Sequence, residues 1–326
     1  MFWRAPKLHR LGVLGINRRN ADYVMRYNQR KYYPFADDKL RTKSIAIAAG
    51  IAVPDLYGVI ETQRDIRNLP QIIDGRQGFV IKPACGSGGN GVLVLSRRGE
   101  TFRRPDGRVV GHEEMAHHTS NVLSGQYSLG GQPDRAMIEY RVRFDAVFEQ
   151  VAYHGVPDLR IIVFLGYPVM AMVRLPTRAS DGKANLHQGA IGVGIDIARG
   201  ETLRGVGGTE IVDEHPDTLN PISGIKVPGW DAILELAAGT YELTKLGYMG
   251  VDIVLDRERG PLILELNARP GLSIQIANHC GLHGRLREVE GLDGAARSAA
   301  ERAAYAREHF GVPGSEQAPA PPQISG

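Results

Sequence analysis

Apolar residues fall along this chain in short runs rather than long blocks. Phe79-Val80-Ile81 and Val92-Leu93-Val94-Leu95 bracket a glycine-rich loop, the pattern of two strands in one hairpin. Leu159 to Leu165 with Val169 to Leu175 predict a second pair. Tyr248 to Leu255 with Leu262 to Asn267 predict a third, around the turn Asp256-Arg257-Glu258-Arg259-Gly260-Pro261. Helical spacing alternates with these runs. Asp38 to Ala49 reads as a helix stopped by Gly50, and Ala295 to Phe310 as an Ala/Arg/Glu helix. Trp230 to Leu246 sets Ile233, Leu234, Ala237, Tyr241 and Thr244 on one helical face, with Gly247 as its end. The mixture predicts an α+β fold in which hairpins outnumber βαβ units.

Composition sharpens this picture. With 326 residues, 43% hydrophobic and 23% charged, the chain has the make-up of a folded protein and room for two lobes. The longest N-terminal apolar run, Leu11 to Ile16, is too short for a signal peptide, and no run approaches the roughly 18–20 residues that cross a bilayer. A cytoplasmic protein is the expectation, with Cys85 and Cys280 as reduced thiols because they fit neither a disulfide framework nor a zinc spacing. The net charge of +3 is unevenly spread: residues 1–43 carry eleven Lys/Arg against three Asp, a local +8. A basic arm beginning Met1-Phe2-Trp3-Arg4 suits an anionic membrane, RNA or an acidic partner. A solvated helix face with a few lysines recruited to a phosphate site is the simpler alternative. Gly311 to Gly326, rich in Pro, Gly and Ala, reads as a disordered tail.

Two stretches carry candidate chemistry. Lys82-Pro83-Ala84-Cys85-Gly86-Ser87-Gly88-Gly89-Asn90-Gly91-Val92 contains Gly-x-Gly-x-x-Gly, but the loop runs into a strand and not into a helix. That context excludes a dinucleotide fingerprint, and the missing Gly-Lys-Ser/Thr excludes a Walker A loop. A kinase loop would precede its lysine, whereas Lys82 comes before the glycines. What remains is a hairpin whose bare amides can close over phosphates, entered by a lysine. In the third hairpin, pairing Leu255 with Leu262 sets Ile253 opposite Leu264, Val251 opposite Leu266 and Asp252 opposite Glu265, with Asn267 further along the same face. Carboxylates facing each other across a ladder repel. A divalent cation reverses the sign of that contact, and three oxygen donors of this kind suit Mg²⁺.

Lys82-Pro83 before a glycine hairpin, Glu139 ending the run Ala136-Met137-Ile138, and Asp252 with Glu265-x-Asn267-x-Arg269-Pro270-Gly271 together resemble the ATP-grasp carboxylate–amine ligases. Asp158-x-Arg160, Arg174 and Asn185-Leu186-His187-Gln188-Gly189 are most similar to the ribosomal-protein glutamate ligases, specifically the alpha-L-glutamate ligase-like proteins. The resemblance runs from about Asp37 to Leu282. It implies an ATP-grasp fold, two α+β lobes with ATP held between them. Residues 37–135 would form the first lobe with its phosphate loop and 136–290 the second with the Mg-binding hairpin. A basic arm, 1–36, would precede them, and a C-terminal helix and tail, 291–326, would follow.

Carried over by position, the resemblance places Lys39, Lys82 and the loop residues Gly86, Ser87, Gly88, Gly89 and Gly91 on the phosphates of ATP. Glu139 would begin a hinge whose backbone from Tyr140 to Val142 faces adenine. Glu149, in competition with Asp145, would take the ribose. Asp252, Glu265 and Asn267 would hold Mg²⁺ or Mn²⁺. Arg160, Arg174 and Arg269 would clamp the γ-phosphate and the substrate carboxylate, and Asn185 and His187 would line an acyl-phosphate site. Lys43 reads as an exposed helix lysine, and His112, His117 and His118 as a polar helix face.

The implied reaction is ATP-dependent amide formation through an acyl phosphate. It would join glutamate or another amino acid, as amine donor, to a carboxylate, peptide or protein acceptor. Nucleic acid is not an expected partner of that reaction. Family members usually carry a pre-grasp domain of about 100 residues ahead of the Asp-Lys element, which here is reached at Asp38. Lacking a full pre-grasp domain, the acceptor side is expected to be open, or completed by a homo-oligomer or a membrane-associated partner, which would make the protein peripheral to a membrane. The rival readings are a phosphotransferase on the same fold and a non-catalytic nucleotide-binding protein recruited to a membrane or RNA by the basic arm.

Overall fold

The computed structural model describes residues 8, 10–86 and 88–312. Met1 to Lys7 of the expected arm, Ser87 of the glycine loop and Pro313 to Gly326 of the expected tail lie outside the described residues. The first sheet contains β1 (Leu56–Ile60), β2 (Gly78–Pro83), β3 (Leu93–Arg98), β4 (Thr101–Arg103), β5 (Val109–Val110) and β6 (Ala136–Tyr140). Its order is β1-β6-β2-β3-β4-β5, antiparallel throughout. Phe79 and Ile81, Leu93 and Leu95, and Ala136 and Ile138 point to one side, where Met115 and Val122 of helix α2 share their core; α1 is Lys39–Ala48 and α2 is His112–Leu123. The alternate residues Lys82, Met137 and Glu139 therefore face the other way, into the cleft.

The second sheet holds β7 (Asp158–Phe164), β8 (Tyr167–Leu175), β9 (Ile191–Asp196), β10 (Glu201–Gly207), β11 (Glu210–Val212), β12 (Tyr248–Asp256) and β13 (Gly260–Asn267), in the order β11-β10-β9-β8-β7-β12-β13. Every residue of β7 and of β12 is buried, so these strands are covered on both faces, which is why they read as nearly unbroken apolar runs. Helices α3 (Trp230–Thr244), α4 (His283–Glu290) and α5 (Ala299–His309) contribute to that core. Ile233, Leu234, Ala237 and Thr244 of the expected face are buried, but α3 ends one turn earlier than Gly247, on Lys245 in the left-handed region (φ 59°). Helix α5 starts at Ala299 rather than Ala295, because Ser298 and Glu301 close a reciprocal capping box there.

Three expectations about organisation are corrected. Strand β6 pairs between β1 and β2, so the chain leaves the first sheet after Tyr140, and the division drawn at residue 136 falls inside that sheet. The described part of segment 1–36 is not a detached arm. Leu14, Tyr23 and Val24 are buried in the core of the second lobe, and the Asn28 carboxamide donates to Tyr248 O (2.7 Å) and Ala268 O (3.1 Å) while accepting from Tyr248 N (2.8 Å). Gly247 permits this approach: a Cβ there would stand 2.8 Å from Tyr27 Cβ. In the third hairpin, Asp252 does face Glu265 and Val251 faces Leu266. A bulge then intervenes, setting Ile253 opposite Ile263 and Leu255 opposite Pro261, not opposite Leu264 and Leu262.

Helix α1 joins the lobes. Asp38 caps its N-terminus by accepting from Leu40 N at 3.0 Å, Leu40 packs with Ala84 and Met137 of the first lobe, and Lys39 reaches Glu265 of β13. The integration of the N-terminal segment gives a direct expectation. Asn28→Ala strands three buried backbone groups and lowers stability by about 2–4 kcal/mol, measured by denaturant unfolding; a detached arm would leave the midpoint unchanged.

Candidate functional site

The cleft wall of the first sheet is dominated by one carboxylate and two ammonium groups. Lys82 on β2 forms a short ion pair with Glu139 on β6, its near-neighbour across the ladder. Lys43, one turn along α1 from Lys39, lies 3.0 Å from the other carboxylate oxygen and also donates to Pro54 O. Lys43, Lys82 and Glu139 are only 5%, 7% and 3% exposed, so Lys43 is a buried member of the site and not an exposed helix lysine. Burial opposes ionisation of Glu139, yet Lys82 and then Lys43 hold its carboxyl below the usual glutamate range. Burial, with repulsion from Lys82, pushes the Lys43 ammonium down, and Glu139 only partly offsets this. Two lysine side chains thus share one carboxylate in a desolvated place, a formal excess of one positive charge.

The glycine loop closes against this wall. Lys39 Nζ donates to Gly86 O at 2.5 Å and lies 3.4 Å from Glu265 Oε2, so a single side chain touches both lobes. Asp134 anchors the loop's root by accepting from Cys85 N at 2.9 Å. Gly91 turns with φ 73°, where a Cβ would fall 2.5 Å from the Tyr127 ring, and its carbonyl accepts from His118 Nε2 at 3.0 Å. His118 therefore supports the loop instead of belonging to a merely polar helix face. Gly88 O accepts from Asn185 Nδ2 (3.2 Å) and Gln188 Nε2 (3.4 Å) of the second lobe. Asn185 also caps the short turn Leu186–Gln188, and His187 on that turn is exposed. Cys85 and Cys280 are free and half-buried.

The second lobe brings its charges together on neighbouring strands. Asp252 on β12 receives Arg160 of β7 through Nε (2.7 Å) and Nη2 (2.5 Å), and Arg174 of β8 through Nη2 (2.8 Å). Arg174 in turn grips Asp158 with two bonds of 2.5 Å. Burial works against Asp252, but the two guanidiniums hold its pKa below the carboxylate norm; Asp158 is pushed up by burial, with Arg174 opposing and Asp252 reinforcing. Glu265 lies opposite Asp252, and Asn267, next on the same face of β13, accepts from Arg269 N at 2.9 Å. Among the described residues no three His, Cys, Asp or Glu gather as a metal cluster. The third oxygen of this set is the Asn267 amide, and ionised carboxylates with an amide oxygen are the donor chemistry that fits Mg²⁺ or Mn²⁺. Arg269 stands apart from the network: its guanidinium lies over the Tyr33 ring, 4.6 Å from the centroid.

Between the lobes, Tyr140 to Arg143 is fixed by Asp256, a buried residue that the hairpin pattern leaves in the turn. Asp256 accepts from Tyr140 OH (3.0 Å) and Arg143 N (2.8 Å) with one oxygen and from Glu258 N (3.0 Å) with the other. Val142, Val254 and Leu262 are buried together, with Tyr140, Val156 and Leu264 packed around them, forming an apolar patch beside the charged wall. The two acids competing for the ribose are already engaged: Asp145 caps Val147 N at 2.9 Å and Glu149 pairs with Arg257.

A segment between the lobes fixed by Asp256, a glycine hairpin preceded by a lysine and an acidic hairpin meet a matching family model. The model for sugar-transfer associated ATP-grasp proteins covers residues 18–291. The chain belongs to that ATP-grasp family. Its fold is accordingly the ATP-grasp fold, with two antiparallel sheets as the two lobes. Solved ATP-grasp structures resemble it at low identity. The ATP-grasp ligase PsnB complexed with minimal precursor is 13% identical at a TM-score of 0.44, over 81% of this chain and 62% of that one. The D-alanine–D-alanine ligase from Coxiella burnetii is 14% identical at 0.45, over 86% and 62%. D-cycloserine synthetase DcsG is 16% identical at 0.44, over 83% and 71%. The chain thus spans about three fifths of the length of the first two. No curated protein matches its sequence.

In this ATP-grasp chain the charge excess sets a testable asymmetry. Glu139→Gln leaves two buried ammonium groups unpaired and costs about 3–5 kcal/mol, whereas Lys43→Met leaves a balanced Lys82–Glu139 pair and costs far less. Because the Glu139 pKa is lowered on folding, its contribution is present at neutral pH and fades as pH falls through the folded value. Urea unfolding of both variants from pH 7 to pH 3 should show the Glu139→Gln deficit shrinking with acidity. Equal costs for the two variants, or a pH-independent gap, contradict the assignment.

Proposed function

We propose that the chain is an ATP-dependent carboxylate–amine ligase that makes an amide bond through an acyl phosphate. The observation that carries this reading is the buried positive excess of Lys43, Lys82 and Glu139 facing the acidic hairpin. A desolvated net cation calls for an anionic ligand, and a neighbouring oxygen donor set calls for a hard cation. Nucleoside triphosphate with Mg²⁺ satisfies both.

In this reading the apolar patch around Val142, Val254 and Leu262 takes adenine, and the backbone from Tyr140 to Val142 faces its edge. Asp145 or Glu149 reaches the ribose after giving up its present partner, with Glu149 preferred. Lys82 passes from Glu139 to phosphate while Lys43 stays, so Glu139 is never left as a lone buried anion. Lys39 and the amides of Gly86, Gly88, Gly89 and Gly91 cover the phosphates. Asp252, Glu265 and Asn267 would hold Mg²⁺ or Mn²⁺, which would supply positive charge to offset that of the phosphates. Arg160 and Arg174 then turn from Asp252 toward the transferring phosphoryl group and the substrate carboxylate, where planar bidentate geometry favours arginine. Asp158 retains Arg174 and aims it. Arg269 completes the clamp, and Asn185 and His187 line the side from which the amine approaches.

The substrate carboxylate attacks the γ-phosphorus and the bond to the ADP oxygen breaks, giving acyl phosphate and ADP. The amine then adds to the acyl carbon and phosphate leaves. No protein nucleophile takes part, and the work is positioning and charge stabilisation. The motif from Asn185 to Gly189 supports an amino acid, glutamate first, as amine donor. The family's association with sugar transfer adds sugar-borne carboxylates and amines to the peptide and protein ends worth testing.

An ADP-release screen crossing amino acids with carboxylate, peptide and sugar acceptors, read by product mass, tests the proposal. Substrate-dependent ADP with an amide product is the expected result, lost on chelating the metal and reduced about a hundredfold or more by Asp252→Asn or Glu265→Gln. ADP release that persists in both variants sinks the proposal, and ADP without any amine requirement points to a phosphotransferase.

A further inference from the structure

Segment 8–31 has two faces, and the site uses only one of them. Inward, Leu14, Tyr23 and Val24 are buried, and Arg19 donates to Pro270 O (2.6 Å) and Arg269 O (3.3 Å). Outward, Leu8, Leu11, Ile16 and Met25 are 48%, 60%, 61% and 76% exposed. Ten large hydrophobic side chains stand exposed among the described residues, and four of them fall within this short segment. Because other side chains already anchor the segment, these four are not waiting for a place in this core. Interleaved with them are the exposed Arg10, Arg26, Arg30 and Lys31. The acid of the segment, Asp22, pairs with Arg18 at 3.1 Å. Alongside, Arg26, Tyr27, Arg287, Glu290 and Gly291 line a groove of about 190 Å³. Glu290 there is shared by Tyr27 OH at 2.6 Å, Arg287 at 3.0 Å and Arg26 at 3.4 Å, so the groove holds two guanidiniums against one carboxylate.

We propose that this outward face docks on an anionic phospholipid membrane, the aliphatic side chains entering the interface and the arginines meeting lipid phosphates, with the Arg26–Arg287 groove receiving a headgroup. Aliphatic side chains set among arginines on a rigidly held segment are the chemistry of interfacial binding. Positive charge adds attraction to anionic lipid that salt screens. Single-stranded RNA is the weaker fit, since its binders present aromatic platforms and here Tyr23 is buried while Tyr27 is half-buried. No helix of the described residues is long and apolar enough to span a bilayer, so the contact is with its surface. Arg19, on the inward side, ties the docked face to the Arg269–Pro270 loop. The inference stands independently of the ligase reading, because none of the outward residues belongs to the cleft.

The test is co-sedimentation of the full chain with vesicles of phosphatidylglycerol mixed with phosphatidylcholine, and with phosphatidylcholine alone, across a salt series. Binding is expected to the anionic vesicles, falling as salt rises. Ile16→Asp with Met25→Asp, and separately Arg26→Gln with Arg287→Gln, should each lower the partition coefficient roughly tenfold or more. Ile16 and Met25 are exposed, so that pair should leave the unfolding midpoint unaltered, whereas Arg26 and Arg287 both pair with Glu290 and their loss should lower it; Arg30→Gln with Lys31→Gln, at exposed positions, repeats the charge test and should also weaken binding. A chain that stays in the supernatant overturns the proposal, as does vesicle binding that the variant pairs all retain. Binding of polyuridylate that these variants lose, without vesicle binding, also overturns it and reassigns the face to RNA.

Discussion

Two ammonium groups share one carboxylate on the cleft wall of the first lobe, and much of the site follows from that imbalance. Lys82 and Glu139 are diagonal neighbours on one face because β2 and β6 pair directly, and Lys43 arrives because α1 crosses from one lobe to the other. Such a trio is costly in a folded protein unless something anionic settles beside it. Next to it a hairpin of glycines is rooted by Asp134 and held at Gly88 by Asn185 and Gln188 from the opposite lobe.

The second lobe solves the converse problem. Asp252 and Glu265 face each other across a ladder, a repulsive pair by themselves. Arg160 and Arg174 neutralise one, and Lys39 leans on the other. In the proposed reaction the same cations would act at the transferring phosphoryl group, and the resting network would hold them beside their place of use. Asp158 holds Arg174 from behind with two short bonds.

Much of this was legible in the chain. Strands covered on both faces read as continuous apolar runs, so the hairpins were placed closely, and the facing of Asp252 and Glu265 survived because the bulge lies on the turn side of that pair. The bulge itself was not legible, since Leu264 is as apolar as Leu262 and Ile263 before it and nothing marks it as the extra residue. The burial of Lys43 leaves no mark in the sequence for a different reason. Its partner is distant in the chain, and ion pairs between remote segments leave no local pattern. The N-terminal segment misled through its charge: counting arginines does not show that Arg19 is buried against two carbonyls or that Asn28 is stitched to Tyr248. Asp256 looked like an ordinary turn residue, yet it fastens the inter-lobe segment at Tyr140 and Arg143.

In the proposed function, charge in the cleft, and not the apolar patch, carries ligand affinity. Calorimetric titration of the full chain with ATP and with adenosine, each in the presence of Mg²⁺, tests it most directly. One molecule of ATP per chain should bind far more tightly than adenosine, with the difference weakening as salt is raised. Equal affinity for the two, or no binding of ATP, would contradict it.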